Sequence, residues 1–264
     1  MLAAAPRLWG EMTAPQLGAA AEAGDLVLLP IGAVEQHGAH LPVDTDIRLG
    51  IAVAEEVSRR FPAAIVAPPV WWGLSGYHTD FPGYFTLSTA TFMALVKELC
   101  ANLVDQGFRK VALVVGHGSN KPVVGVVVSE VMRELGVAIV QLNYLNLGAA
   151  AFRSARVSGP GGEFHAGELE TALMLHHRPD LVDMERTVTR YVDPVEHLGL
   201  SAGVRDIFAG GDATIGIELA RGFPVGVAGD ARGATPELGA QVFAAIVERT
   251  LEILREYHGG RAVG

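Results

Sequence analysis

Short apolar runs rich in valine, isoleucine and leucine alternate along this chain with longer stretches of helical periodicity, and this alternation restricts the possible folds. Four clear runs and one weaker run lie at 26–31, 64–70, 110–115, 137–143 and 223–229. Helical patterns lie at 47–61, 89–107, 121–136, 168–177 and 235–257. Buried strands separated by helices predict an α/β fold, with a mainly parallel sheet covered by helices on both faces.

The length of the chain permits one large domain or two small ones. Half of the 264 residues are hydrophobic, which is enough to fill a substantial core. We find no internal repeat and no stretch with the composition of a linker. The sequence therefore predicts a single domain over residues 1–264.

Charge and cysteine content exclude several classes of function. The formal net charge of −9 disfavours nucleic acid or an anionic membrane surface as the main partner. No apolar run approaches the roughly 18 residues of a transmembrane helix. Cys100 is the only cysteine, so an internal disulfide is impossible and a reducing compartment is favoured. We expect a cytoplasmic protein.

Three polar segments carry the residues that could perform chemistry. GAVEQHGAHLPVDTD at 32–46 and GHGSN at 116–120 each follow a predicted strand, and EFHAGELET at 163–171 opens a predicted helix. Ligands of open α/β sheets bind beyond the carboxyl ends of the strands. If the sheet is doubly wound, all three segments can therefore converge on one crevice.

The residue types in these segments suit a metal site. Glu35 and His37 are two residues apart, so in an extended segment both point the same way. Asp46 can return across the site and bridge two cations about 3.5–4 Å apart. His117 and Glu168 would complete the set. Imidazole and carboxylate ligands without a thiolate favour Zn²⁺, Mn²⁺ or Fe²⁺ over Ca²⁺.

Each of these residues also has an ordinary structural interpretation. Asp46 precedes the helical pattern that starts near Ile47, and it could simply cap that helix. A single histidine beside a strand end is more often a hydrogen-bonding loop residue than a metal ligand. Spacing alone leaves both interpretations open.

The same segments resemble the motifs of the creatininase (creatinine amidohydrolase) family. The resemblance is carried by LPIGAVEQHGAHLPVDTD, GHGSN and FHAGELETALML, with further similarity in SGYHTDFPGYFTLST and VGVAGDARGATPELG. The matching segments keep their order and extend from about residue 8 to 257. The resemblance implies a compact α/β fold, a hexamer, and a binuclear metal centre that hydrolyses non-peptide amide C–N bonds.

Carried over position by position, the resemblance implies as ligands Glu35, His37, Asp46, His117 and Glu168, with Asp46 as the bridge. It implies for His165 either proton transfer or the positioning of a ligand carboxylate. Creatinine-cleaving members place a ligand glutamate where this chain has Ser119, and they carry later tryptophans that this chain lacks. Creatinine is therefore not the expected substrate.

The resulting hypothesis is a hydrolase with two divalent cations per chain, with Zn²⁺ favoured and Mn²⁺ or Fe²⁺ as alternatives. A metal-bridged hydroxide would attack a small cyclic amide, imide or formamide, with His165 and Glu168 as catalytic residues. The predicted substrate-binding residues are His78, Tyr77, Trp72, Ser119 and Asn120. The alternatives are a peptidase that trims a modified peptide and a non-catalytic binding homologue. Because all five ligand positions are present, the enzyme is favoured.

Overall fold

The computed structural model describes residues 4–191 and 225–260. Its main sheet has five parallel strands in the order β1-β3-β2-β4-β5. These strands are β1 (Arg7–Leu8), β2 (Leu26–Ile31), β3 (Ala64–Val66), β4 (Lys110–Val115) and β5 (Ile139–Asn143). A separate antiparallel pair is formed by β6 (Glu163–His165) and β7 (Ala228–Gly229).

The described helices are α1 (Ala14–Glu22), α2 (Thr45–Arg60), α3 (Thr89–Asp105), α4 (Asn120–Leu135), α5 (Tyr144–Leu147), α6 (Ala149–Ala155), α7 (Glu168–His177) and α8 (Pro236–Gly259). All five helical patterns of the sequence correspond to helices, with ends shifted by at most a few residues. In the described ranges, none of the helices is long and apolar enough to cross a bilayer.

The alternation of side chains along β2 explains why helices cover both faces of the sheet. Leu26 and Leu28 belong to the core that contains residues of α2, α7 and α8. Val27 and Leu29 belong to the opposite core, which contains residues of α1, α3 and α4. Successive residues of a strand point to opposite faces, so an all-apolar strand requires cover on both sides. The predicted α/β architecture is confirmed.

The strand predictions differ from the structure mainly at two runs. The run at 64–70 forms a strand only to Val66, before two prolines that lack an N–H for the ladder. The weak run at 223–229 contributes only Ala228–Gly229, which pairs outside the main sheet. Residues 223 and 224 of that run lie outside the described residues.

Two glycines place the start of α2 against the ends of the central strands. Gly32 follows β2, and a Cβ there would lie 2.5 Å from the Cα of Ile47. Gly116 follows β4, and a Cβ there would lie 2.5 Å from the backbone oxygen of Asp46. Only glycine permits so close an approach. The first turn of α2 therefore sits at the carboxyl edge of the sheet and carries Asp46 to it.

Candidate metal centre

Histidines and carboxylates crowd together beyond the carboxyl ends of β2 and β4. Each member of this polar cluster is at most 9% exposed, and the members are Glu35, His37, Asp46, His78, His117, His165 and Glu170. Burying ionisable groups is costly unless they are paired with one another or coordinate a metal. The cluster is therefore a candidate binding site for a metal.

Asp46 occupies the middle of the cluster. Its Oδ1 lies 3.2 Å from Nε2 of His37, and its Oδ2 lies 2.8 Å from Nδ1 of His117. Each histidine also faces a second carboxylate: Glu35 Oε1 lies 3.4 Å from His117 Nδ1, and Glu170 Oε2 lies 3.9 Å from His37 Nε2. The two oxygens of one aspartate thus face two separate groups of donor atoms.

Backbone carbonyls determine which ring nitrogens of His37 and His117 face the cluster. Nδ1 of His37 lies 3.0 Å from the Glu35 carbonyl oxygen, and Nε2 of His117 lies 3.2 Å from that of Leu74. A carbonyl only accepts hydrogen bonds, so these two nitrogens carry hydrogens. The other nitrogen of each ring faces carboxylates. Metal-binding histidines in proteins are usually anchored in this way.

In the metal-free protein, the neighbouring carboxylates favour the protonated forms of His37 and His117. Burial by itself would lower the pKa of His37, but Asp46, Glu170 and Glu35 raise it to about 10. Burial likewise opposes the charge on His117, whose pKa Glu35 and Asp46 raise to about 9. Against the effect of burial, His37 and His117 hold the pKa of Asp46 well below its usual range. Protons thus provide the positive charge that cations would otherwise supply.

We expect Zn²⁺ binding at pH 7 to release protons. His37 and His117 are charged at this pH because their pKa values lie well above it, and a bound cation replaces the proton on the nitrogen that faces it. Titration of the metal-free protein with Zn²⁺ in weakly buffered solution with a pH indicator measures this release. Binding without proton release would contradict the assignment of these two rings as ligands.

His165 presents an uncharged imidazole to the cluster. Its Nε2 donates to the carbonyl oxygen of Gln36 at 2.7 Å, so Nδ1 keeps a lone pair, 3.9 Å from Glu35 Oε1. Burial lowers the pKa of His165 to about 3, and the neighbouring His37 and His78 contribute to this shift. The arrangement places a proton acceptor beside the carboxylates.

The structure does not bring Glu168, a predicted ligand and catalytic residue, to the cluster. Its carboxylate accepts the backbone N–H groups of Val157 and Ser158 at 2.8 and 2.7 Å. Glu170 lies at the cluster instead, held by the N–H of Ala166 at 2.7 Å. Residues two apart on a helix point about 200° apart, so only one of these glutamates can face the site. The motif contains both, and the sequence analysis had named Glu168.

Ala166 gives this segment an unusual backbone. Its φ is +53°, and among the described residues it is the only non-glycine with positive φ. A residue with a Cβ is uncommon in this conformation. The bend separates β6 from α7 and directs the Ala166 N–H to Glu170 while His165 reaches Gln36.

The predicted substrate-binding residues occupy three different environments. His78 ends a short 3₁₀ helix and is buried against Glu35, whereas Tyr77 and Trp72 are 48% and 51% exposed. Ser119 is partly buried at the start of α4. Asn120 is fully buried, and its amide bonds the carbonyl oxygen of Gly32 and the N–H of Leu74. Its polar atoms are therefore already used within the fold.

Replacing Asn120 with alanine is expected to destabilise the metal-free protein by about 1–3 kcal/mol, because buried backbone groups of Gly32 and Leu74 lose their partner. Urea denaturation of the metal-free protein measures this loss. Lys121→Ala, at the exposed next position, is the matched control. Equal stability of the two variants would contradict the structural role of Asn120.

Comparisons with known proteins agree with the fold and the motifs. The family model described as creatininase, creatinine amidohydrolase, matches residues 10–254. The chain is 32% identical over 241 residues to the mycofactocin precursor peptide peptidase of Mycolicibacterium smegmatis, covering 89% of this chain and 87% of that protein. It is 31% identical over 263 residues to the creatinine amidohydrolase of Pseudomonas putida, with 94% and 95% covered.

The solved structures agree with this result. The crystal structure of a creatinine amidohydrolase (creatininase) matches with a TM-score of 0.82 at 27% identity, covering 97% of this chain and 99% of that one. Family model, relatives and structure thus coincide over nearly the whole chain. The chain belongs to the creatininase family of metal-dependent amidohydrolases.

Proposed function

We propose that this protein binds two divalent cations through Asp46 and hydrolyses an amide C–N bond outside the peptide backbone. The observation that carries the proposal is that Asp46 Oδ1 and Oδ2 face different histidines. One cation would be held by Glu35, Asp46 and His117, whose donor atoms lie within 4.8 Å of one another. The other would be held by His37 and Glu170, which form a second such group with His165, and by Asp46 Oδ1, 3.2 Å from His37 Nε2.

The donor atoms fit such cations. Glu35 is fully buried, and neither of its carboxylate oxygens has a hydrogen-bond partner in the described part of the chain. A buried carboxylate oxygen is costly to leave without a partner, so a ligand at this position accounts for it. Imidazole with carboxylate suits Zn²⁺ and Mn²⁺. Solved structures of creatininases include a zinc–zinc form and a manganese form, and we expect one of these metals here.

The residues of the cluster would have two separate roles in hydrolysis, binding the cations and transferring a proton. Bound cations supply an activated water and polarise the amide carbonyl. Glu35, His37, Asp46, His117 and Glu170 would hold the cations in place. Since an amide nitrogen leaves only when protonated, a proton must reach it, and we propose that Nδ1 of His165, which keeps its lone pair, would accept and pass that proton.

We propose a small cyclic amide, imide or formamide as the substrate. Trp72 and Tyr77 are exposed aromatic residues within six positions of His78 in the sequence. Ser119 stands where creatinine-cleaving relatives carry a glutamate, which argues against creatinine. The similarity to a peptide peptidase favours, as a second candidate, cleavage within a peptide.

Parallel assays on Zn²⁺- and Mn²⁺-loaded protein test this proposal, with cyclic amides and formamides in one set and end-blocked peptides in the other. Formation of the free carboxylate and amine is the readout. Turnover of the small amides alone supports the proposal, and turnover of peptides alone establishes the second candidate. Loaded protein inactive towards both sets would contradict the proposed substrate classes. A hexamer and a cytoplasmic location stay predictions.

A further inference from the structure

We propose that His78 is a positioning residue that fixes the Glu35 carboxylate, and that Gln36 fixes the tautomer of His78. The inference rests on the metal centre proposed above. His78 is 4% exposed, and its Nε2 lies 3.1 Å from Glu35 Oε1, an ion-pair distance without hydrogen-bond geometry in the metal-free protein. It therefore contacts a carboxylate of the proposed metal centre and does not form an open wall for substrate.

The amide of Gln36 has a defined orientation. The backbone N–H of Gly38 donates to Gln36 Oε1 at 2.9 Å, so the other end of the amide is the NH₂ group. That NH₂ nitrogen lies 3.0 Å from Nδ1 of His78. Because an amide NH₂ only donates, Nδ1 of His78 must accept. The hydrogen of the neutral imidazole is then on Nε2, which faces Glu35.

A second histidine near the same amide does not change this assignment. Nε2 of His165 lies 3.1 Å from the Gln36 nitrogen, but it also lies 2.7 Å from the Gln36 carbonyl oxygen. The N–H of His165 is therefore used on that carbonyl, and two donor nitrogens cannot bond each other. The Gln36 amide remains the donor to His78.

Two glycines hold Gln36 in this position. Gly38 has a φ of +65°, and a Cβ there would lie 2.6 Å from Cγ2 of Val227. A Cβ at Gly226 would lie 2.0 Å from Gln36 Oε1, which only glycine avoids. The backbone turn that presents the Gly38 N–H and the space that Gln36 occupies both depend on these residues.

In this tautomer, His78 has no lone pair for a cation. Nδ1 accepts from Gln36, and Nε2 carries a hydrogen and lies 3.1 Å from Glu35 Oε1. Such outer contacts orient metal ligands, and their loss costs roughly 10–100-fold in metal affinity. The role of His78 is therefore to act on the cation through Glu35, and this role requires an N–H at the position of Nε2.

Three variants test the inference: His78→Leu, His78→Gln and Gln36→Met. Zn²⁺ affinity is measured by competition with a chelator, and the ligand set by the visible absorption of the Co²⁺-loaded protein. We expect His78→Leu to lower the affinity for one of the two cations by roughly 10–100-fold. His78→Gln keeps a donor near Nε2 and should stay within a few-fold of the native affinity. Gln36→Met should lower the affinity for the same cation as His78→Leu does.

Asp80→Ala, an exposed change in the same loop, is the matched control, and circular dichroism confirms that each variant is folded. Native affinity in His78→Leu would overturn the inference and leave the metal centre intact. Equal losses in both His78 variants, with an altered Co²⁺ spectrum, would make His78 a direct ligand and also overturn it. A native protein that binds no metal would overturn the metal centre and, with it, this inference.

Discussion

Replacing Asp46 with alanine is expected to abolish binding of both cations and to lower the hydrolysis rate at least about a thousandfold. Each oxygen of Asp46 faces one of the two groups of ligands, so a single substitution removes a ligand from both. Metal ions stabilise the charge of hydrolytic transition states by several kcal/mol, and about 1.4 kcal/mol corresponds to a tenfold change in rate. Metal content per chain and kcat/KM of the variant measure the two effects.

Asp44→Ala is the control for this experiment. Asp44 is a partly buried carboxylate two residues away that pairs with Arg48 on the outside of α2. The Asp44→Ala variant should keep native metal content and activity. An Asp46→Ala protein that retains one tightly bound cation would show that Asp46 is a terminal ligand and not a bridge.

Replacing Glu170 with alanine is expected to remove one cation and to lower activity about a hundredfold or more. Glu170 Oε2 is 3.9 Å from His37 Nε2, and its carboxylate is anchored by the Ala166 N–H. Glu170 is not part of the group formed by Glu35, Asp46 and His117, so a cation proposed at that group should remain. Metal analysis should therefore give one equivalent per chain.

Glu168→Ala is the matched comparison, because both residues are buried glutamates of the same helical turn. It removes the acceptor of the Val157 and Ser158 N–H groups and should destabilise the protein by about 1–3 kcal/mol. Its metal content should stay native. Loss of a cation in Glu168→Ala with full loading of Glu170→Ala would reverse the assignment.

The sequence was sufficient to predict the sheet wherever burial dominates. β2 and β4 are apolar at almost every position, since helices cover both faces, and their predicted and observed limits coincide. Short elements at the edge of the fold are harder to predict from the sequence. The two-residue β1 and the nine-residue α1 have no apolar pattern strong enough to predict, and only their packing against the rest of the fold defines them.

The sequence predicted which segments form the candidate site, but it did not predict every side chain that faces it. Glu35, His37, Asp46 and His117 come together because they follow adjacent parallel strands, which the apolar runs predict. The choice between Glu168 and Glu170 depends on where α7 begins and on the bend at Ala166. Gln36 gave no signal of its own, because its role arises from contacts with residues distant in sequence, such as His78.

Metal analysis of the native protein, purified without chelator and then dialysed against Zn²⁺ or Mn²⁺, tests the central claim most directly. The arrangement of two histidines around the two oxygens of Asp46 predicts close to two equivalents per chain. A stoichiometry of one, or no bound metal after incubation with either cation, would contradict it.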